Sequence, residues 1–292
     1  MNISKDLKIV VVGTGKVGAS IIQALAQSGF KILGIDIDKN NVNSASIKIQ
    51  KSLEIIVSKG KISSEEREAI SARIILSGDF DLLNDADVVI EAVFENMEVK
   101  KDVFIQIDQR VQSGEALLLT NTSSLSVSEI GSVTKRPDKV AGMHFFYPVP
   151  VMKLVEVVRG VLTAPDTIEK VKALAKLMGK TPIVSADSPG FIVNRMLNAL
   201  TVEAARIVEE SVGTVEDVDM GAKLGLGHPM GPFELFDYLN AIHLLQHVTD
   251  YMSGELGDRF RLPIWVKNLV RAGKWGKDYG RGFYDHSKKE HD

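Results

Sequence analysis

The stretch from Lys8 to Ala19, KIVVVGTGKVGA, decides the fold of the first part of the chain. Its apolar residues predict a buried strand, and the glycines that follow predict a tight turn that opens into a helix. In such a turn Gly13 makes the bend, Gly15 lets a ligand come close and Gly18 lets the helix pack against the strand. The N–H groups at the start of the helix can then bind phosphate. The glycine spacing therefore favours a dinucleotide ligand.

A second predicted strand indicates which dinucleotide is bound. Residues 31–35 are mostly apolar, and the strand ends at Asp36, roughly the twenty positions expected after a glycine turn of this kind. A carboxylate there accepts hydrogen bonds from the ribose hydroxyls and repels a 2′-phosphate. No arginine follows in residues 37–39 to bind that phosphate. We therefore predict NAD rather than NADP, with a plain loop carboxylate as the alternative for Asp36.

The composition is that of a globular protein. The 292 residues are 45% hydrophobic and 25% charged, and the net charge of −3 gives no reason to expect nucleic acid or a membrane surface as a partner. No apolar run reaches the roughly 18 residues of a membrane span. The absence of cysteine excludes disulfides and thiol catalysis and fits a reducing compartment. We expect a cytoplasmic protein.

Strands and helices are predicted to alternate over the first part of the chain. A polar, helix-prone stretch covers residues 41–73, and a capping box from Ser63 to Glu66 predicts that a second helix starts within it. The two helices would form a hairpin inserted into the strand order. Further strands are predicted near residues 74–76, 87–90, 115–120, 140–145, 154–158 and 183–184.

The character of the sequence changes near Ala186. From Pro189 onward only helices are predicted, at residues 191–212, 215–224, 233–253 and 263–272. We therefore predict an α/β Rossmann-type N-terminal domain with an inserted helical hairpin over residues 1–186. An all-α C-terminal domain would follow over residues 187–292.

His144 is the strongest catalytic candidate. It lies at the end of a predicted strand, and strand ends line the ligand crevice of an open α/β sheet. A neutral imidazole there can take a proton from a hydroxyl group. Glu156 lies in the next β-rich run and can orient the ring if the two strands are neighbours. From position alone, a buried histidine with a purely structural role remains equally compatible.

Other polar residues also allow two interpretations. Ser123 can donate a hydrogen bond to a substrate oxygen or simply belong to a polar turn, and Asn194 can reach an interdomain cleft or be an ordinary helix residue. Lys48, Ser52 and Lys59 share one helix face. That face suits a phosphorylated part of a substrate, or it is a solvated surface.

No metal site is predicted. His243 and His247 are four residues apart, as in a metal-binding pair. However, the glutamate of the zinc-protease motif does not follow His243, and no third ligand is obvious. We interpret both as surface or packing histidines.

Together these segments resemble the L-3-hydroxyacyl-CoA dehydrogenase family, and its free-standing bacterial 3-hydroxybutyryl-CoA dehydrogenases in particular. The resemblance covers nearly the full length. It rests on the glycine turn through Asp36 and on residues 95–100, 121–124, 144–146, 148–156, 189–195 and 229–234. It implies an NAD-dependent oxidoreductase that reversibly oxidises a (3S)-3-hydroxyacyl-CoA to the 3-oxoacyl-CoA.

The resemblance also implies roles for the candidate residues. His144 would be the general base and Glu156 its orienting partner, while Ser123 and Asn194 would hold the substrate oxygen. The cofactor would be contacted by the glycine turn and by Asp36, Glu95, Lys100, Asn121 and Ser123. The coenzyme A part of the substrate would bind Ser52 and Lys59, and the C-terminal domain would form a homodimer.

Two positions depart from the family pattern. Tyr147 stands where the family usually has Asn, and Tyr279 stands where it usually has a small hydroxyl residue. Pro148 biases Tyr147 towards an extended backbone, so we expect its ring at the rim of the crevice.

Two other functions stay open. One alternative is a dehydrogenase of a free hydroxy acid, which the Lys48, Ser52 and Lys59 face argues against. The other is a non-enzymatic NAD-binding or structural homologue, which only Tyr147 favours.

Overall fold

The computed structural model describes residues 2–287. Among these, residues 2–191 form one compact unit, and residues 192–287 form a second. The division follows Phe191 rather than Ala186 because the Phe191 side chain packs into a hydrophobic cluster of the first unit. The sequence alone indicates where strands give way to helices, but it does not show in which of the two units the Phe191 ring is buried.

One eight-stranded sheet forms the centre of the first unit. In chain order its strands are β1 (Ile9–Val12), β2 (Ile32–Ile35), β3 (Ile74–Ser77), β4 (Val88–Glu91), β5 (Leu117–Thr120), β6 (Val140–Phe145), β7 (Leu154–Arg159) and β8 (Thr181–Ala186). Their order in space is β3-β2-β1-β4-β5-β6-β7-β8. Strands β1 to β6 are parallel, whereas β7 runs antiparallel to β6 and β8 is parallel to β7. The strand order reverses beside β1, where ligands of such sheets bind.

Helices connect the strands, and the sequence explains where several of them begin. They are α1 (Lys16–Gln27), α2 (Lys39–Ser58), α3 (Ser64–Ser71), α4 (Met97–Arg110), α5 (Val127–Ser132) and α6 (Pro165–Leu177). Helices α2 and α3 are the predicted hairpin, and the Ser63 capping box at the start of α3 forms as predicted. Asn96 accepts a hydrogen bond from the Val99 N–H and so caps α4.

Strand β1 is buried on both faces, and this fixes the glycine turn at the centre of the sheet. Ile9 and Val11 pack into one hydrophobic cluster, while Val10 and Val12 pack into another on the opposite face. All four residues are at most 3% exposed. The end of β1 is therefore held on both sides.

The second unit is helical, as predicted. Its helices are α7 (Val193–Glu209), α8 (Val215–Met220), α9 (Pro232–Tyr238), α10 (Ile242–Leu256) and α11 (Ile264–Arg271). The single helix predicted over residues 233–253 is wrong, because the chain breaks between α9 and α10. Asn240 has a φ of 54° there, a left-handed conformation that Asn tolerates better than most residues. No helix within residues 2–287 has the length and apolar character needed to span a membrane.

Candidate active site

The glycine turn at the end of β1 leaves space for a ligand. Gly13 has a φ of +96°, and a Cβ atom added there would lie 2.6 Å from the Ala92 carbonyl oxygen. A Cβ on Gly18 would lie 1.8 Å from the Gly13 oxygen. Gly15 faces open space and has no side chain to cap α1. The first-turn N–H groups of α1 can therefore bind a phosphate.

Asp36 lies beside this turn at the end of β2. The Thr14 N–H donates to Asp36 Oδ2 at 2.8 Å, and the Asp38 N–H donates to Oδ1 at 3.0 Å. Longer bonds come from the Thr14 hydroxyl, at 3.2 Å, and from the Asn41 amide, at 3.3 Å. Two strong backbone bonds thus orient the carboxylate, and the two longer side-chain bonds are the ones that ribose hydroxyls can replace. Together with the open turn, this arrangement fits an NAD molecule.

His144 and Glu156 face each other across β6 and β7. They are directly paired in the antiparallel register, and His144 Nδ1 lies 2.8 Å from Glu156 Oε2. Glu156 is fully buried and His144 is 5% exposed. The rings of Phe146 and Phe191 lie 4.6 and 5.9 Å from the imidazole. Because Nδ1 donates to the carboxylate, Nε2 is the nitrogen that can exchange a proton with a substrate.

The neighbouring strand β5 brings Asn121 and Ser123 to the same edge of the sheet. The Phe145 N–H donates to Asn121 Oδ1 at 2.9 Å, which ties this loop to the end of β6. The Ser123 N–H and hydroxyl donate to Glu95 Oε1 at 2.7 and 3.2 Å. Glu95 therefore holds Ser123 in place, one strand away from His144.

Lys100 is buried between two carboxylates. Its Nζ atom lies 2.7 Å from Glu91 Oε1 and 3.2 Å from Glu95 Oε2, and its side chain is 1% exposed. Glu91 is fully buried and also accepts a bond from the Thr120 hydroxyl at 2.7 Å. Sequence reasoning singled out Lys100 and Glu95 but missed Glu91. The available signal was an acidic residue at the end of an otherwise apolar strand.

The environment of Glu95 favours its charged form. Burial alone would raise the pKa of this carboxyl group. The charge of Lys100 and the hydrogen bonds from Thr122 and Ser123 outweigh that effect, and the pKa of Glu95 lies below its usual value. Glu95 is therefore a fixed negative charge that connects the buried Lys100 to the loop after β5.

The other predicted residues lie on separate elements. On α2, Ser52 is half-buried and Lys48 is exposed, while Lys59 is exposed just beyond the last helical residue. Asn194 lies in the first turn of α7, in the second unit, where its carbonyl accepts a bond from the Asn198 amide at 2.7 Å. The substrate-binding roles implied for these residues stay predictions.

His243, His247 and Tyr279 belong to the second unit. The His243 ring lies 4.6 Å from the Trp275 ring, and His247 is exposed on the same helix. The Tyr279 ring lies 4.9 Å from the ring of the same Trp275. Burial lowers the pKa of His243, which favours a neutral imidazole packed on the indole.

The fold and the glycine turn define the protein as an NAD-binding oxidoreductase. Residues 8–188 match the NAD-binding domain of 3-hydroxyacyl-CoA dehydrogenase, and residues 190–286 match the C-terminal domain of the same enzyme. The chain belongs to the 3-hydroxyacyl-CoA dehydrogenase family.

Individual relatives agree with this assignment. The chain is 40% identical to a probable 3-hydroxybutyryl-CoA dehydrogenase of Bacillus subtilis, over 97% of this chain and 98% of that protein. It is 38% identical to a 3-hydroxybutyryl-CoA dehydrogenase of Clostridioides difficile, over 97% of this chain and the whole of that protein. The crystal structure of (S)-3-hydroxybutyryl-CoA dehydrogenase from Ralstonia eutropha aligns with a TM-score of 0.93 at 37% identity, covering 97% of this chain and all of that one.

Proposed function

We propose that this 3-hydroxyacyl-CoA dehydrogenase interconverts (3S)-3-hydroxybutyryl-CoA and acetoacetyl-CoA. The observation that carries the proposal is the buried His144–Glu156 pair, 2.8 Å apart at the edge of the sheet that also holds the glycine turn. Relatives named 3-hydroxybutyryl-CoA dehydrogenase support a substrate with a four-carbon acyl group.

The proposed proton transfer follows from the orientation of the histidine. His144 Nε2 takes the proton of the substrate hydroxyl, and the ionised Glu156 stabilises the resulting imidazolium. Bound NAD supplies the hydride acceptor. Ser123 and Asn194 are proposed to donate hydrogen bonds to the substrate oxygen and so to stabilise the charge that develops on it.

The cofactor residues divide into direct contacts and support. We propose that Asp36 binds the adenosine ribose and that Asn121 and Glu95 lie against the nicotinamide half. The family resemblance also assigns Lys100 a direct contact. Because Lys100 is almost fully buried and lies against Glu91 and Glu95, we propose instead that it positions Glu95.

The coenzyme A part of the substrate is proposed to bind Ser52 and Lys59 on α2. The exposed ammonium of Lys59 suits a phosphate group, and the half-buried Ser52 can add a hydrogen bond. The cytoplasmic location expected from the sequence stays a prediction.

We also propose a homodimer formed through the second unit. An apolar groove of about 370 Å³ lies between α7 and α8, and Leu200, Ile207, Val218 and Leu226 are among its lining residues. Leu226 is 66% exposed. A second copy of this unit can cover such a surface. Analytical ultracentrifugation tests the proposal: the wild type should sediment as a dimer, and a monomer at micromolar concentration would contradict it.

One assay tests the substrate. NADH oxidation is measured with acetoacetyl-CoA and with free acetoacetate at equal concentrations. We expect turnover with the thioester and little with the free acid. Preference for the free acid would indicate the alternative dehydrogenase, and no turnover of either, with NADH still bound, would indicate a non-enzymatic role.

A further inference from the structure

The cation of Lys16 lies over the ring of Tyr147. The Lys16 ammonium is 4.6 Å from the centre of the ring, a distance typical of a cation–π contact. Lys16 is the first residue of α1, and Tyr147 follows the strand that carries His144. The contact therefore joins the phosphate-binding turn to the segment that leaves β6.

A second contact joins the same two segments. The Val149 N–H donates to the Ser20 hydroxyl at 3.0 Å, one helical turn beyond Lys16. The segment after β6 is thus attached to the first part of α1 at two points. Tyr147 itself remains 49% exposed, so its ring is available at the surface of the crevice.

Lys16 lies at the end of α1 that can bind phosphate. Side chains in a helix point back towards its N-terminus, so a lysine at the first position extends over the end that binds phosphate. The first turn of α1 contains no acidic residue that would neutralise it. An exposed lysine ordinarily samples many rotamers, and contact with the Tyr147 ring favours one of them.

We propose that Lys16 is a cofactor-binding residue for the diphosphate of NAD and that Tyr147 is its positioning residue. The proposal rests on the NAD site but not on the identity of the acyl substrate. Tyr147 then acts through its aromatic face and not its hydroxyl. It affects cofactor affinity rather than acyl preference or proton transfer.

The test is a fluorescence titration of the full-length protein with NADH. Lys16→Met should raise the NADH Kd about three- to tenfold, the range expected when an exposed pair of a lysine and a phosphate at a helix N-terminus is lost. The effect should shrink as salt is added, because added ions screen the lost charge. Lys31→Met, which removes an exposed charge just before β2 at the opposite edge of the sheet, should leave the Kd unchanged.

Ligand fragments separate a diphosphate contact from a general defect. Lys16→Met should weaken ADP-ribose, which carries the diphosphate, and spare adenosine, which does not. Equal losses for both ligands, or an unchanged NADH Kd, would overturn the assignment of Lys16. This readout needs no acyl substrate, so it is independent of the proposed reaction.

Three further variants test the role of Tyr147. Tyr147→Asn should raise the NADH Kd about two- to fivefold when it is the only substitution. Added to Lys16→Met, it should have little further effect, since the ring acts through the lysine. Tyr147→Phe keeps the ring and should retain the wild-type affinity. A Phe variant as weak as the Asn variant would overturn the proposal, and so would an Asn variant that changes only the KM for acetoacetyl-CoA.

Discussion

His144 Nδ1 and Glu156 Oε2 lie 2.8 Å apart because the two residues are directly opposite each other in β6 and β7. The pairing register holds both side chains on the same face of the sheet. One nitrogen of the imidazole is therefore fixed by a buried carboxylate, and the other is left to exchange protons.

The first prediction concerns the proposed base. His144→Gln should lower kcat by about 10²- to 10⁴-fold, the usual loss for a general acid–base group, while the NADH Kd stays close to that of the wild type. Steady-state kinetics and NADH titration measure the two effects separately. A variant with near-normal turnover would remove His144 from the mechanism.

The second prediction concerns the buried charges around Lys100. Glu91→Gln should lower the free energy of unfolding by about 3 kcal/mol, the low end for breaking a buried ion pair, since Glu95 still pairs with the lysine. The double variant Glu91→Gln with Lys100→Met should recover part of the loss. Urea unfolding measures both, and a single variant as stable as the wild type would show that the pair contributes nothing.

The third prediction concerns cofactor choice. Asp36→Ala should weaken NADH more than NADPH, because it removes both a ribose acceptor and a charge that repels the 2′-phosphate. The ratio of the two dissociation constants measures the effect and cancels a general loss of binding. A wild-type preference for NADPH would contradict the role given to Asp36.

The fourth prediction concerns the coenzyme A part of the substrate. Lys59→Ala should raise the KM for acetoacetyl-CoA and spare the N-acetylcysteamine thioester, which lacks the phosphates. Lys51 is also exposed on α2 but lies on a different face from Ser52, so Lys51→Ala is the matched control. Equal losses for both substrates would point away from phosphate binding.

The fifth prediction concerns the pH dependence of stability. The folded pKa of Glu95 lies below its usual value of 4.5, so the unfolded chain takes up this proton first as the pH falls. Glu95 therefore stabilises the fold above about pH 4.5, and this contribution is lost as the pH falls through the folded pKa. Urea unfolding at pH 6 and pH 3.5 should show a larger loss for the wild type than for Glu95→Gln. Equal losses would contradict the lowered pKa.

Much of the first unit could be predicted from the sequence because its signals are local. The glycine turn, the Ser63 capping box and the apolar strand runs each specify their own element within a few residues. The His144–Glu156 contact was predicted conditionally, and the antiparallel pairing of β6 and β7 confirms the condition. Short-range patterns were sufficient for these features.

The missed features depend on contacts between separate elements. Glu91 belongs to the site because β4 and β5 are neighbours and α4 returns Lys100 over the end of β4. The contact between Lys16 and Tyr147 requires the packing of the segment after β6 on α1. The break at Asn240 also involves a residue distant in the chain: the Asp278 N–H donates to Asn240 Oδ1 at 2.7 Å, and the Asn240 amide donates to Asp278 Oδ2 at 2.8 Å.

Because β7 runs antiparallel to β6, His144 and Glu156 lie on the two strands of one hairpin. Its two halves are close in the chain, so their alignment needs no crossover helix and little loop-closure entropy. The connecting segment is anchored separately, by Ser20 on one side and by the buried Lys180 ammonium, which donates to the Met152 carbonyl at 2.8 Å, on the other. Residues at the tip of that connection can therefore change during evolution without moving the pair, so the geometry proposed for proton transfer tolerates variation there.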